Sequence, residues 1–349
     1  MSFSKIILAV TALLGLLLAG LIGWFVYSIR ADVEHKKSDE YITVEKGLAP
    51  DSIIDLLSKE GVIADPAIAK IYIRVTGRSA RLQAGDYKFK SPISLGDVID
   101  ELEKGKLQTK KITIPEGWTR FEIAKRLASN LNSEPPMDEK AVLYLMNDTT
   151  KIADIDPKAE NLEGYLYPTT YEFPLDATPE QAIERMVSQF KKTWKPEYSQ
   201  KAAALGRTNH EIVTIASLIE NESKFPEERR IVSSVIYNRL SNNMALGIDA
   251  TNVYIAKLLG RWDGTINKSD IEVNHPYNTR KIAGLPPGPI SSASESSIEA
   301  ALNPASTKYL YYVLNVRKND GSHNFYESAA EFEKGKAEYQ RWLAQERGK

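Results

Sequence analysis

The chain has 349 residues, a formal net charge of −1 and no cysteine. This length allows two or three domains, the balanced charge gives no support for nucleic-acid binding, and the lack of cysteine excludes disulfides and thiolate catalysis. The four histidines, at positions 35, 210, 275 and 323, are not spaced like paired metal ligands, so we expect no metal and no other cofactor.

The N-terminal segment from Ile6 to Ile29 runs without a charged residue. A run of this length spans the hydrocarbon core of a bilayer and exceeds the apolar part of a usual signal peptide. Trp24 and Tyr27 lie near one end, where interfacial aromatic side chains are found. The sequence therefore predicts a membrane anchor within residues 1–30, followed by a polar linker at 31–40.

The orientation of this anchor does not follow from charge. More positive charges follow the apolar run than precede it, which slightly favours a cytoplasmic C-terminal part. Long domains, however, are translocated largely regardless of such charges.

A weak internal repeat follows the linker. Residues 42–47 (Ile-Thr-Val-Glu-Lys-Gly) match residues 112–117 (Ile-Thr-Ile-Pro-Glu-Gly), and an isoleucine and a leucine follow both copies at equal spacing. Each copy predicts a strand, a glycine turn and a short helix, and the two copies with the hairpin between them predict one compact α+β module. Strand–glycine–helix is also a common pattern that arises without any repeat.

An aromatic segment at 161–173 joins four rings to glycine and proline and includes Glu163 and Tyr171. Two interpretations are open. The rings could stack on a ring-shaped ligand, or they could pack in the core beneath a loop.

Residues 212–223 have apolar side chains at helical spacing. Glu220 continues the apolar stripe of Val213 and Ala216, near the predicted C-terminal end of this helix. Burial and the negative end of the helix dipole both favour a neutral carboxyl group, and a general acid must be protonated. The alternative is that Glu220 starts a solvated cap, which Asn221 and Glu222 continue.

Further polar motifs follow. A second helix from Pro226 carries Asn238 and Arg239, a turn-rich loop occupies residues 284–290, and His323 lies in a predicted turn and strand. The tail at 329–345 predicts a helix with a polar face.

Taken together, these segments resemble the endolytic murein transglycosylase (YceG-like) family, and the resemblance runs from the anchor almost to the C-terminus. The segments that carry it are Ile-Pro-Glu-Gly at 114–117, Glu-Gly-Tyr-Leu-Tyr-Pro-Thr-Thr-Tyr at 163–171, Ala-Ser-Leu-Ile-Glu-Asn-Glu at 216–222, Tyr-Asn-Arg-Leu at 237–240, Tyr-Asn-Thr at 277–279, Gly-Leu-Pro-Pro-Gly-Pro-Ile at 284–290 and Leu-Asn-Pro-Ala at 302–305.

The resemblance implies an α+β protein with an N-terminal transmembrane helix, a small LysM-like module at 41–111 and a mixed α+β catalytic domain at 112–345. It also implies a cell inner membrane protein with a cytoplasmic N-terminus and a periplasmic catalytic domain. The expected partners are peptidoglycan glycan strands, the inner membrane through residues 6–29, and peptidoglycan synthases.

The resemblance places the family's catalytic glutamate on Glu220. In lytic transglycosylases the C6 hydroxyl of muramic acid attacks the anomeric carbon and forms a 1,6-anhydro end, so one carboxyl can act as acid and then as base. The expected cleavage lies within nascent strands, at the MurNAc-GlcNAc β-1,4 bond, and ends their elongation.

Around Glu220 the sequence offers supporting and substrate-binding candidates. Glu222 and Asp249 are candidate supporting residues, and the candidate sugar contacts are Asn238, Arg239, Tyr277, Asn278, His323, Glu163 and Tyr171. The family usually has glutamine where this chain has Gly247, so the role of that side chain is open here.

Two other functions remain open at this point. One is a glycan hydrolase that uses Glu220 with Asp249, since hydrolytic glycosidases usually need two carboxylates. The other is a wall-binding scaffold without catalysis.

Overall fold

The computed structural model describes residues 3–105, 109–132, 135–174 and 177–347. In these ranges the chain is a mixed α+β protein in which helix predominates, so the predicted class is confirmed. It divides into two compact units, residues 1–110 and 111–349.

The N-terminal unit contains four helices and four short strands. They are α1 (Phe3–Arg30), β1 (Asp32–Val33), β2 (Ile42–Val44), α2 (Pro50–Lys59), α3 (Pro66–Val75), β3 (Gly85–Tyr87), β4 (Ile93–Ser94) and α4 (Leu95–Lys104). Strand β2 pairs antiparallel with β3, and β1 pairs antiparallel with β4. The amphipathic helices α2, α3 and α4 bury their apolar faces in one core around Ile54, Ile73 and Ile99.

Helix α1 contains the apolar run. Its segment Leu13–Arg30 has a mean hydropathy of 1.8 and is long and apolar enough to cross a membrane. The segment 31–40, which the sequence predicts as a linker, carries β1. In addition, the backbone N–H of His35 donates to Ser91 Oγ at 2.9 Å, so hydrogen bonds tie this segment to the rest of the unit.

Both copies of the weak repeat adopt the predicted strand, glycine turn and helix. The turn glycines, Gly47 and Gly117, have φ angles of +91° and +73°, which residues with a β-carbon rarely adopt. The copies lie in different units, however, on either side of the boundary at 110/111. The expectation that they form one module together is therefore wrong.

The C-terminal unit is larger and mostly helical, and its first strand begins at the boundary. Its elements are β5 (Thr109–Thr113), α5 (Arg120–Asn130), α6 (Glu139–Leu145), β6 (Thr170–Pro174), α7 (Pro179–Thr193), α8 (Pro196–Ala204), α9 (Asn209–Glu222), α10 (Pro226–Ser241), α11 (Asp249–Leu258), α12 (Lys268–Glu272), α13 (Glu295–Leu302), β7 (Tyr311–Leu314), β8 (His323–Tyr326) and α14 (Ala329–Arg347). Strand β5 pairs with β6, and β7 pairs antiparallel with β8.

Helix α9 is the central helix of this unit. It starts with a capping box between Thr208 and Glu211, and its residues 212–219 are all buried. Helices α8, α10, α11 and α13 all contact it. A helix covered on every side can be apolar all round, which explains the wide apolar face in the sequence.

The segment at 287–294 runs along α9. The backbone N–H of Ile290 donates to Ser217 Oγ at 3.0 Å, and Asn221 Nδ2 donates to Ser291 Oγ at 2.7 Å. These bonds satisfy polar groups in the interior and fix the turn-rich loop against the helix.

Candidate active site

An open cleft of about 570 Å³ lies at the C-terminal end of α9. Its walls come from the end of α9, the start of α10, the turn at 116–117 and the β7–β8 hairpin. The lining residues are Glu116, Glu220, Asn221, Glu222, Ser223, Lys224, Arg229, Leu314, Gly321 and His323. Four separate segments of the C-terminal unit therefore bring polar and charged side chains to one place.

Glu222 is the last residue of α9 and is partly buried in this cleft. Its Oε2 accepts a hydrogen bond from the Tyr312 hydroxyl at 2.5 Å. Burial raises the pKa of Glu222, and the negative charge of Asp249 adds to this, while Tyr312, His323 and Arg239 act in the opposite direction. A carboxyl with a raised pKa, at the wall of an open cleft, has the properties of a general acid.

Glu220 has different surroundings. Its side chain is only 4% exposed, and Oε1 accepts from Arg229 Nη2 at 3.0 Å. Oε2 accepts from the backbone N–H and the hydroxyl of Ser294, at 2.8 and 2.5 Å. Ser294 is the N-cap of α13. Glu220 thus ties α9 to the guanidinium on α10 and to the start of α13.

The surroundings of Glu220 differ from those that the sequence suggests. The apolar stripe suggests a carboxyl among apolar neighbours, but the structure supplies a cation and two hydrogen-bond donors instead. Both oxygens are occupied, and little surface remains for a sugar oxygen. Of the two glutamates, Glu222 is the better placed for proton transfer with a substrate.

His323 lies in the cleft as expected, at the start of β8. Its Nδ1 is 2.8 Å from Glu228 Oε2, and its backbone N–H donates to Glu228 Oε1 at 2.9 Å. Its ring meets that of Tyr312 edge to face, with centroids 5.4 Å apart. Glu228 therefore fixes the imidazole beside the tyrosine that contacts Glu222.

Asp249 is not among the residues that line the cleft. It starts α11 and forms an ion pair with Arg280, at 2.5 Å from Nη2, and both side chains are substantially exposed. Its effect on the site is electrostatic, through the raised pKa of Glu222.

Asn238 and Arg239 make structural contacts. Asn238 Nδ2 donates to the carbonyls of Thr307 and Tyr309 at 3.0 and 2.9 Å. Arg239 donates to the carbonyls of Leu310 and Leu246 at 2.6 and 2.7 Å. These hydrogen bonds hold the chain before β7 and α11 in place.

Asn278 is fully buried, and its Nδ2 donates to the carbonyls of Ile271 and Val273. Tyr277 packs on Tyr254 with ring centroids 5.0 Å apart, and burial raises its pKa to about 12. Neither residue is among those that line the cleft of Glu222.

Glu163 and Tyr171 lie in the interior. Glu163 is 2% exposed and accepts two hydrogen bonds from the backbone N–H of Arg120, and burial raises its pKa to about 7. Tyr171 is 4% exposed and donates to the Tyr167 carbonyl at 2.6 Å. For the aromatic segment at 161–173, the core-packing interpretation is correct, and these two residues are not surface contacts for a sugar.

Gly164 shows why that segment needs its glycine. Its φ is +83°, and a β-carbon there would lie 2.6 Å from Pro289. Gly247 also has a left-handed φ, +63°, with Arg239 Nη1 3.3 Å from a built β-carbon. Glycine is the residue that adopts such angles without strain.

Sequence reasoning missed three residues at the site: Glu116, Arg229 and Tyr312. Glu116 lies in the Ile-Pro-Glu-Gly motif, which carries a signal of its own. The backbone N–H of Gly117 donates to the Ser292 carbonyl at 2.8 Å and places that turn beside the cleft. Arg229 and Tyr312 belong to a helix and a strand with ordinary patterns, so the sequence marks neither.

The part of the chain that the structure describes contains no group of three or more histidine, aspartate or glutamate side chains suited to a metal ion.

Comparisons with known proteins agree on one family. The YceG-like family matches residues 42–338. The endolytic murein transglycosylase of Bacillus subtilis (strain 168) is 32% identical over 339 residues, 91% of this chain and 90% of that protein. The enzyme of the same name from Streptococcus pneumoniae D39 is 30% identical over 80% of this chain, and the match spans 55% of the pneumococcal protein. A crystal structure of a yceG-like protein from Listeria monocytogenes has 32% identity and a TM-score of 0.56, covering 84% of this chain and 98% of that one.

Proposed function

Because this chain belongs to the YceG-like family of murein transglycosylases, we propose that its cleft cleaves the MurNAc-GlcNAc β-1,4 bond of nascent glycan strands. The product is a 1,6-anhydro-MurNAc end, and the cleavage terminates strand elongation. Glu222 is the general acid and base. As a family member the chain is a peptidoglycan lytic transglycosylase. The contacts of the two glutamates support Glu222 as the proton-transferring group.

The observation that carries the assignment is the contrast between two carboxyl groups at one cleft. Both glutamates line the cleft, but burial raises the pKa of Glu222, whose partner is the Tyr312 hydroxyl, whereas Glu220 is held by Arg229 and Ser294. A general acid must carry a proton near the working pH and must be within reach of the leaving oxygen. The raised pKa of Glu222 supports the first requirement, and its place in the cleft wall supports the second.

The reaction needs one carboxyl group in two successive states. Protonated Glu222 donates its proton to the glycosidic oxygen as the bond to the anomeric carbon breaks. The resulting carboxylate accepts the proton of the C6 hydroxyl as that oxygen bonds to the same carbon. Tyr312 occupies Oε2, so we assign both proton transfers to Oε1.

We further propose that α1 anchors the chain in the inner membrane, with a cytoplasmic N-terminus and the cleft on the periplasmic side. The length and apolarity of α1 support this. Residues 41–111 form the LysM-like module; in support, two helices connect the antiparallel strands β2 and β3 around a separate core. Peptidoglycan synthases are the proposed partners, because the anchor keeps the cleft near newly made strands.

Product analysis tests this function. The full chain in detergent or vesicles is incubated with uncrosslinked glycan strands, and the released fragments are analysed by mass spectrometry. We expect 1,6-anhydro ends at internal cleavage sites. Free reducing ends would show a hydrolase instead, and a folded protein that releases no fragments would favour the scaffold.

A further inference from the structure

Helix α3 carries an apolar stripe on its exposed face. Ala67, Ile71 and Val75 follow one another at intervals of four residues, so they lie on one side of the helix. Ile71 is 50% exposed and Val75 77% exposed, although the other face of α3 is well buried around Ile68 and Ile73. Large aliphatic side chains grouped in this way on a surface usually mark an interaction site.

The anchor helix packs on the same unit. Phe25 and Ile29 of α1 contact the core that α2, α3 and α4 build. Ile29 lies so close to Gly96 at the start of α4 that a β-carbon there would be 3.6 Å from Ile29 Cγ2. The end of α1 is therefore part of the folded N-terminal unit, and it contacts both α3 and α4.

The aromatic residues of α1 indicate the depth of this contact. Trp24 and Tyr27 are 57% and 71% exposed, and such side chains favour the headgroup level of a bilayer. Phe25 lies between them in the sequence and packs on the unit's core. The part of the unit that contacts α1 is thus at the headgroup level.

Together these placements indicate what covers the exposed apolar stripe of α3. We propose that the exposed face of α3, with Ile71 and Val75 at its centre, lies in the membrane interface beside the anchor. This rests on the proposed anchoring role of α1 and extends it, because the N-terminal unit then binds the bilayer through two elements.

The residues around the stripe suit that position. Arg74 borders it with 65% of its side chain exposed, and it is paired with Asp51. Lys70 also borders the stripe and is paired with Asp55 at 2.6 Å. Helices that lie in the plane of the interface, about 5–10 Å into the headgroup and acyl boundary, combine an apolar face with basic residues on the polar side. The hydrogen bonds of His35 and β1 leave little freedom for the unit to move away from the end of α1.

Site-specific fluorescence tests this proposal, and the absence of cysteine makes the chain suitable for it. Single cysteines replace Ile71, Val75, Leu17 in the anchor, or the exposed Ser52 on α2, and each carries an environment-sensitive fluorophore. The full chain is reconstituted in phosphatidylethanolamine–phosphatidylglycerol vesicles with spin-labelled lipids. Each labelled variant must have the same melting temperature as the unlabelled protein.

We expect blue-shifted emission at 71 and 75, with stronger quenching by a headgroup-level spin label than by one at the bilayer centre. The Leu17 site should show the opposite depth preference, and the Ser52 site should show neither effect.

Two results would overturn the proposal while the anchor stands. In the first, spin-labelled lipid quenches the fluorophore at position 17, but the fluorophores at 71 and 75 are as little quenched as the one at 52. In the second, 71 and 75 are shielded from iodide but not quenched by lipid, which means that protein covers the stripe. A position 17 that lipid does not quench would instead refute the anchor itself.

Discussion

Two glutamates at the end of α9 lie two residues apart and have opposite surroundings. Around Glu220 every oxygen has a partner, and the side chain is 4% exposed. Around Glu222 the cleft is open, and burial raises the pKa of the carboxyl group. Glu220 joins three helices, whereas Glu222 has the Tyr312 hydroxyl as its partner at the wall of the cleft.

Burial alone does not identify a catalytic carboxyl group. A buried carboxylate with a guanidinium partner and backbone donors has its charge satisfied within the protein. A catalytic carboxyl has to exchange a proton with the substrate, so it must keep an oxygen available at the cleft.

Breaking the buried ion pair between Glu220 and Arg229 should lower the stability of the protein most. Replacing Arg229 with methionine leaves the Glu220 charge buried without its cation, because the two side chains are only 8% and 4% exposed. Removing one partner of a buried ion pair costs about 3–5 kcal/mol. Chemical unfolding of the full chain in micelles, followed by tryptophan fluorescence, measures this loss.

The neighbouring Arg230 provides the matched control. It is exposed and donates from Nε to the Asn303 carbonyl at 2.9 Å, so Arg230→Met should cost about 1 kcal/mol or less. Equal losses in the two variants would show that the Glu220 pair is not a special structural contact.

A second prediction concerns the other end of α9. His210 Nδ1 lies 2.6 Å from Asp156 Oδ2, and Nε2 lies 2.7 Å from the Pro287 carbonyl. Both partners are acceptors, so only the protonated imidazole can satisfy both. The Asp156 hydrogen bond is the main cause of the raised pKa of His210, which burial partly opposes.

The native state therefore holds this proton more tightly than the unfolded chain. The stabilisation is complete below the unfolded pKa of about 6.5 and is lost as pH rises through the higher folded pKa. His210→Gln should remove this falling limb from a plot of unfolding free energy against pH. His275→Gln is the control, since burial lowers the pKa of His275 and its contribution has the opposite sign.

Removing the hydrogen bond between Tyr312 and Glu222 should have the least effect, a shift in the pH dependence of cleavage. The Tyr312 hydroxyl favours the ionised form of Glu222 and so lowers its pKa. In Tyr312→Phe that pKa should rise further, and the alkaline limb of the cleavage rate should move to higher pH. Tyr311→Phe, one residue away on β7, should leave the limb in place. If the alkaline limb of Tyr312→Phe does not move, the tyrosine does not control the pKa of the catalytic acid.

Much of the architecture could be predicted from local pattern. The apolar spacing of residues 212–223 predicts α9, and the uncharged apolar run predicts the long helix α1. The candidate active site was harder to predict from the sequence. Periodicity placed Glu220 on the buried face correctly, but it carries no information about Arg229 and Ser294, which lie 9 and 74 residues further along the chain.

The same limit applies to three of the candidate sugar contacts. Asn238, Arg239 and Asn278 are polar groups in recognisable motifs, and their partners are backbone carbonyls of distant or irregular segments. Polar motifs indicate where hydrogen bonds are needed, and only the tertiary structure shows whether protein or substrate makes them.

The most direct measurement compares Glu222→Gln and Glu220→Gln in the full chain, with strand cleavage and unfolding free energy determined on the same preparations. Glu222→Gln should lower the cleavage rate by about 10²–10⁴-fold at nearly unchanged stability. Glu220→Gln should lose stability and still release 1,6-anhydro products below its melting temperature. A stable, inactive Glu220→Gln beside a fully active Glu222→Gln would contradict the account.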